Sequence, residues 1–126
     1  MTPESSMQAV LVATDDSGAR AVAEAVARRR GSTVLCADQE GQVWGLLTAH
    51  KPRIMLLDMS MAEGAAEICE DVRADSSLES TVIVLLAPKG AADGIQRGMD
   101  SGADYFLTLP LDDGDLEDVV SLAFIE

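Results

Sequence analysis

Acidic side chains follow two separate apolar segments of this chain. Asp58 comes directly after residues 54–57, and Asp15 and Asp16 follow residues 10–13 after a single threonine. In an open parallel α/β sheet the carboxyl ends of the strands share one edge, where ligands bind. Carboxylates gathered at that edge repel one another unless a cation or a proton separates them. Because lysine is scarce in this chain, a divalent metal is the natural counter-charge, and the spacing predicts a cation pocket.

The elements that must position these carboxylates alternate regularly along the chain. Short apolar runs rich in β-branched residues predict strands, and apolar residues at helical spacing between them predict helices. Ser17 or Asp16 is the expected cap of the first helix. Five strand–helix units predict one α/β domain with a parallel sheet, right-handed crossovers and helices on both faces. The predicted strands are residues 9–13, 33–37, 53–57, 81–86 and 105–109, and the last three helices lie within 63–74, 92–101 and 115–125.

Composition limits the partners that this chain can take. The 126 residues carry a formal charge of −13, which argues against direct contact with nucleic-acid phosphates and with anionic membranes. No apolar run is long enough to span a bilayer, and the N-terminus has no signal-peptide pattern. Cys36 and Cys69 lie in apolar patterns, so we expect buried free thiols and a reducing, cytoplasmic location. Residues 1–8 are expected to form a flexible tail.

Three segments resemble the receiver domain of two-component response regulators. Residues 10–20 are similar to the first strand of that family with its acidic end, residues 58–61 to the phospho-acceptor loop, and residues 102–111 to the fifth strand. The resemblance covers residues 9–125 and keeps the order of the elements. It implies a receiver domain at residues 9–126 with a doubly wound, flavodoxin-like (βα)5 fold and strand order 2-1-3-4-5.

The resemblance also implies a chemistry and a set of partners. Asp58 would accept a phosphoryl group from a histidine kinase, a phosphotransfer protein or a small phosphodonor. Mg²⁺ would be held by Asp15, the Asp58 carboxylate and the backbone carbonyl of Ser60, with Asp16 as a helper. A chain of this kind has no catalytic turnover of its own. It signals to an output domain or downstream protein, and it can form a homodimer through the fourth helix, fifth strand and fifth helix.

Several positions depart from the family pattern. Thr14 stands at the first acidic position, Leu86 replaces the hydroxyl residue that ends the fourth strand, and Leu109 replaces the lysine before the proline. Phe106 is compatible with the aromatic switch position, and Lys89 could substitute for the missing lysine. A lost charge-assisted hydrogen bond costs about 1.5–3 kcal/mol. We therefore expect the phosphorylation switch to be weakened.

The sequence leaves two functions open. One is a receiver switched by phosphorylation of Asp58 with Mg²⁺, and the other is a pseudo-receiver that binds proteins independently of phosphorylation. An FMN-binding flavodoxin is disfavoured because two negative charges lie in the loop at residues 14–18. An enzyme with its own turnover is disfavoured because no Cys/His or Ser/His pair is expected near the sheet edge. The kinase, the output partner and the oligomeric state are not encoded in recognisable motifs.

Overall fold

The computed structural model describes residues 9–124, and the predicted tail at residues 1–8 lies outside them. Five parallel strands form one sheet in the order β2-β1-β3-β4-β5, as predicted. The three central strands are almost entirely buried, as expected of a parallel sheet covered on both faces. The strands are β1 (Val10–Ala13), β2 (Val34–Ala37), β3 (Ile54–Asp58), β4 (Val82–Ala87) and β5 (Tyr105–Thr108).

Five helices connect or follow these strands, with two further short 3-10 turns. They are α1 (Ser17–Arg29), α2 (Val43–His50), α3 (Ala65–Ala74), α4 (Ala92–Asp100) and α5 (Asp113–Ala123). Capping side chains determine two of the helix starts. Asp16, and not Ser17, caps α1, because its carboxylate accepts a hydrogen bond from the backbone of Gly18. The last helix begins two residues before the predicted start because Asp112 caps it by accepting from the Asp115 amide.

The core has two layers, one on each face of the sheet. On one face, alternate residues of β1, β3 and β4 pack against α1 and α5. On the other face, the intervening residues of the same strands pack against α2 and α3. Side chains of a strand alternate between its two faces, so each central strand contributes to both layers. No helix within residues 9–124 is long and apolar enough to cross a membrane.

The register of the central strands determines which side chains meet at the carboxyl edge. Ala13 of β1 is paired with Leu57 of β3, and Asp58 is paired with Leu86 of β4. Thr14, which follows β1, therefore reaches the level of Asp58. The predicted convergence of two distant segments at one edge is thus present, and the side chains that it brings together define the site.

One cysteine lies differently from the prediction. Cys69 on α3 is buried, as expected, but Cys36 is exposed. The prediction of a buried Cys36 was wrong because β2 is the edge strand of the sheet, and most of its residues are only partly covered. Periodicity identifies a strand but does not reveal whether the strand lies at an edge.

Candidate functional site

Asp58 is a buried carboxylate held by two hydrogen-bond donors. Its side chain is only 1% exposed. The hydroxyl of Thr14 donates to Oδ2 at 2.6 Å, and the backbone amide of Ser60 donates to Oδ1 at 2.8 Å. A buried charge is tolerated only when its hydrogen-bonding needs are met, so these two donors keep the Asp58 carboxylate in place.

A tight turn after β3 determines how the loop faces Asp58. The Asp58 carbonyl accepts hydrogen bonds from the amides of Met61 at 3.2 Å and Ala62 at 3.1 Å. The amide of Met59 donates to the Leu86 carbonyl of β4 at 2.9 Å, which continues the sheet pairing by one residue. Within this turn Ser60 directs its amide toward the Asp58 carboxylate. The role predicted for the Ser60 carbonyl in metal binding stays a prediction.

Asp15 and Asp16, which follow β1, are both exposed, whereas Asp58 is buried. Asp16 is exposed, and its Oδ1 accepts the Gly18 amide at 2.9 Å as the N-cap of α1. Its own amide donates to the Thr14 hydroxyl oxygen at 3.1 Å. Thr14 therefore connects the start of α1 with the buried carboxylate of β3. Asp15 is exposed beside this link.

The Mg²⁺ site that the resemblance implies at Asp15, Asp16, Asp58 and the Ser60 carbonyl stays a prediction. Within residues 9–124, no three His, Cys, Asp or Glu side chains form a group that could hold a metal ion. The Asp16 carboxylate serves as a helix cap, and both oxygens of Asp58 already accept hydrogen bonds. Mg²⁺ demands near-octahedral coordination, in which several ligands are water molecules and one or two are protein carboxylates. The residues present therefore fit the ion only in part.

Two of the positions that depart from the family pattern, Leu86 and Leu109, carry apolar side chains, and Leu86 is paired with Asp58 in the sheet. Leu86 is fully buried and packs in the core layer that includes α1 and α5. Leu109 is partly buried against the same layer, and its amide donates to the Ala87 carbonyl at 2.8 Å. Neither side chain can donate a hydrogen bond. Phe106 is 45% exposed on β5.

Lys89, the predicted substitute cation, is exposed in the loop after β4. In the part of the chain that the structure describes, no salt bridge joins Lys89 to Asp58. The described contacts to the Asp58 carboxylate are therefore hydrogen bonds from Thr14 and the Ser60 amide, and not an ion pair with Lys89.

Thr14 is the functional residue whose role the sequence did not reveal. We expected only that it replaces an acidic residue. The structure shows that its hydroxyl is both donor to Asp58 and acceptor from Asp16. A hydroxyl residue directly after a central strand is the available signal, but it becomes informative only when the register shows that Asp58 lies opposite.

Comparison with known families gives a match over almost the whole chain. A family model described as a response regulator receiver domain matches residues 10–121. The chain is 26% identical over 113 residues to response regulator Rre1 of Synechocystis sp., covering 88% of this chain and 49% of that protein. It is also 26% identical over 102 residues to the phosphate regulon transcriptional regulatory protein PhoB of Pseudomonas aeruginosa, covering 80% and 44%. The chain thus spans about half the length of these curated relatives.

Solved structures show the same fold. The signal receiver domain of a response regulator from Bermanella marisrubri superposes with a TM-score of 0.81 at 25% identity, covering 94% of this chain and 98% of that one. The receiver domain of sensor histidine kinase PA1611 from Pseudomonas aeruginosa, which has a magnesium ion coordinated in its active-site cleft, superposes with a TM-score of 0.78 at 17% identity. This match covers 91% and 95% of the two chains.

Proposed function

Because the chain belongs to the family of response regulator receiver domains, we propose that it is a signalling module that binds partner proteins without needing phosphorylation of Asp58. The observation that carries this proposal is the buried hydrogen bond between Thr14 and Asp58. It supplies the Asp58 carboxylate with a neutral donor from within the chain. With threonine and not a carboxylate at position 14, this edge carries one negative charge fewer, and the need for a cation is weaker.

The energetics support this interpretation. A hydrogen bond to a charged group contributes about 1.5–3 kcal/mol, and leaving a buried acceptor unpaired costs a similar amount. Any group that attacks or modifies the Asp58 side chain must disturb the Thr14 contact or share it. The short 2.6 Å distance and the 1% exposure of Asp58 therefore favour a structural carboxylate.

The surroundings of Asp58 also lack the contacts through which a phosphoryl group would change the conformation. A ligand shifts an equilibrium only as far as it makes different contacts in the two states. Leu86 lies directly beside Asp58 in the sheet, and Leu109 follows β5, yet both side chains are apolar. A phosphoryl group on Asp58 would find no donor at either position.

The partners of this module are proposed to be proteins of a two-component pathway: a histidine kinase or phosphotransfer protein and a downstream output protein or domain. The formal charge of −13 disfavours nucleic acid as a direct ligand of this part of the chain. A second copy is a further candidate partner, through α4, β5 and α5. A cytoplasmic location remains part of this proposal.

Phosphoryl transfer to Asp58 is the alternative function. The observation that favours it is the position of Asp58 at the carboxyl end of β3, with the exposed Asp15 following the neighbouring strand β1. Two carboxylates at adjacent strand ends are compatible with a weak Mg²⁺ site. In that case Asp58 is the acceptor, and Lys89 is the nearest loop lysine available as a substitute cation.

Chemical phosphorylation distinguishes the two functions. The wild-type protein, Asp58→Asn and the triple variant T14D/L86T/L109K are incubated with acetyl phosphate and Mg²⁺, and the intact masses are measured. We expect no acid-labile phosphoryl adduct on the wild type or on Asp58→Asn, and an adduct on the triple variant, which regains the missing side chains. A stoichiometric adduct on the wild type that Asp58→Asn abolishes would establish the alternative.

A further inference from the structure

A groove between α3 and α4 lies next to the Asp58 loop and has no part in the site described above. Its volume is about 650 Å³, within the range of roughly 300–1,000 Å³ that is typical of ligand pockets. The floor is formed by small and apolar side chains, including Met59, Ala62 and Ala66. This floor is suited to an apolar side chain of a ligand.

The floor of the groove is directly connected to the Asp58 loop. Met59 follows Asp58, and its terminal methyl group lies 2.6 Å from the point that a Cβ atom would occupy at Gly94 on α4. The absence of a side chain at Gly94 therefore leaves room for Met59 to lie flat between the two helices. A substitution at Gly94 would change the shape of the groove without changing its charge.

The walls of the groove are strongly acidic. Glu67 and Glu70 lie three residues apart on α3, which places them on one face of the helix, and Glu63 in the turn before α3 lines the same groove. Asp100 lies on the α4 wall, where Arg97 is the one cationic lining residue of the groove as described. No salt bridge among residues 9–124 involves the three glutamates. Glu70 accepts a hydrogen bond from the neutral Ser101 hydroxyl at 3.5 Å, so the negative charge of all three glutamates is available to a ligand.

We propose that this groove binds a basic, amphipathic segment of a partner protein. Arginine or lysine side chains of the segment pair with the glutamates of the α3 wall, while an apolar side chain covers Met59 and the neighbouring alanines. A small cation alone would leave the apolar floor uncovered, and a nucleic acid would be repelled. This inference rests on the proposed function, because it gives the chemistry of the protein partner.

Peptide binding tests the proposal. Two labelled peptides of equal length, one with arginine and leucine at helical spacing and one with glutamate in place of arginine, are titrated at physiological salt by fluorescence anisotropy. The groove variant E67Q/E70Q is compared with D115N/D118N, which removes the same charge from exposed positions on α5. We expect the arginine peptide to bind the groove variant about tenfold more weakly, with wild-type affinity for the α5 variant and no binding of the glutamate peptide.

The shape of the groove is tested by Gly94→Ala, which displaces Met59 and leaves every charge in place. We expect this substitution also to weaken binding of the arginine peptide. In amide NMR spectra of the wild type, the shifts caused by the peptide should be confined to residues 59–70 and 94–101. Thermal unfolding of each variant verifies that it is folded. Equal weakening by both double variants, or no binding of the arginine peptide to the wild type, would overturn the groove proposal.

The same assay separates this inference from the proposed function. Asp58→Asn is expected to bind the arginine peptide as the wild type does. The arginine peptide could instead bind only with acetyl phosphate and an intact Asp58, while its binding still depends on Glu67 and Glu70. That result would support the groove proposal and contradict the proposed phosphorylation-independent function. Binding unaffected by either Asp58→Asn or E67Q/E70Q would contradict the groove alone.

Discussion

At the residue scale, the hydroxyl of Thr14 connects the buried Asp58 carboxylate with the start of α1. Thr14 follows β1 and donates to Asp58 across the sheet, while its oxygen accepts the Asp16 amide at the start of α1. One side chain therefore satisfies a buried charge and fixes the beginning of a helix. An ionised carboxylate at position 14 could still accept the Asp16 amide, but it could not donate to Asp58 and would repel it.

Thr14→Val tests the contribution of this hydroxyl to stability. The substitution keeps the shape but leaves one Asp58 oxygen without its donor, so we expect the free energy of unfolding to fall by about 1–3 kcal/mol. Urea denaturation measures the change. Thr14→Ser should retain most of the stability, and Thr48→Val, which removes an exposed hydroxyl from α2, should change it by less than about 0.5 kcal/mol. A Thr14→Val protein as stable as the wild type would contradict the role of Thr14.

The two cysteines should differ in reactivity. Burial raises the pKa of the Cys69 thiol to about 11, and partial burial together with the Glu24 carboxylate also raises the pKa of Cys36. A raised pKa lowers the thiolate fraction near neutral pH, so both thiols react slowly. Only Cys36 is exposed. Iodoacetamide pulses followed by mass spectrometry should label Cys36 in the native protein and Cys69 only after unfolding, and equal labelling in the native state would contradict the burial of Cys69.

At the scale of elements, a glycine of α4 has a packing role that helix propensity alone does not suggest. The sequence predicts a weak, mobile helix because each glycine costs about 1 kcal/mol relative to alanine. In the structure Gly98 is buried, and a Cβ atom there would collide with the side chain of Leu85 on β4. The glycine allows α4 to approach the sheet closely.

Two glycine-to-alanine substitutions separate these effects. Gly98→Ala should destabilise the fold by about 1–3 kcal/mol, because overpacking against Leu85 outweighs the gain in helix propensity. Gly45→Ala on α2, where a Cβ atom meets nothing within 4 Å, should stabilise it by about 0.5–1 kcal/mol. Thermal and urea unfolding measure both changes. Stabilisation by both substitutions would show that α4 does not pack as described.

Arg73, near the end of α3, joins this helix to the segments that immediately precede β4 and β5. Its guanidinium donates to the Gly102 carbonyl at 2.9 Å, the Thr81 carbonyl at 3.0 Å and the Asp104 carboxylate at 2.6 Å. The fork of donors on arginine is needed to reach three acceptors at once. Helix α3, which forms one wall of the groove, is thus anchored at its C-terminal end, away from the Asp58 loop that precedes it.

Arg73→Lys should therefore be destabilising although the charge is retained. An ammonium group cannot reach all three acceptors in this geometry, and we expect a loss of about 1–3 kcal/mol in the free energy of unfolding. Arg28→Lys is the matched control, because the Arg28 side chain is 72% exposed in its pair with Glu24. Urea denaturation of the two variants should differ clearly. An equal, small effect would contradict the anchoring role of Arg73.

At the scale of the whole molecule, the element order and the parallel sheet follow from hydrophobic periodicity, and the family resemblance implies the strand order. Periodicity could not show that β2 would leave Cys36 exposed, because edge and inner strands have similar patterns. It could not choose between Asp16 and Ser17 as the cap of α1, since both residue types are good caps. The Thr14–Asp58 contact depends on the register of β1 against β3, which only the three-dimensional structure gives.

The proposed function requires that Asp58 is held by the chain itself and is not poised for a metal-dependent switch. Two-dimensional amide NMR of the labelled protein, titrated with millimolar Mg²⁺ and then beryllofluoride, tests it most directly, with the triple variant T14D/L86T/L109K as the positive control. We expect no saturable shifts at residues 58–62 and 86–90 of the wild type and clear shifts in the variant. Saturable shifts around Asp58 in the wild type would contradict the claim.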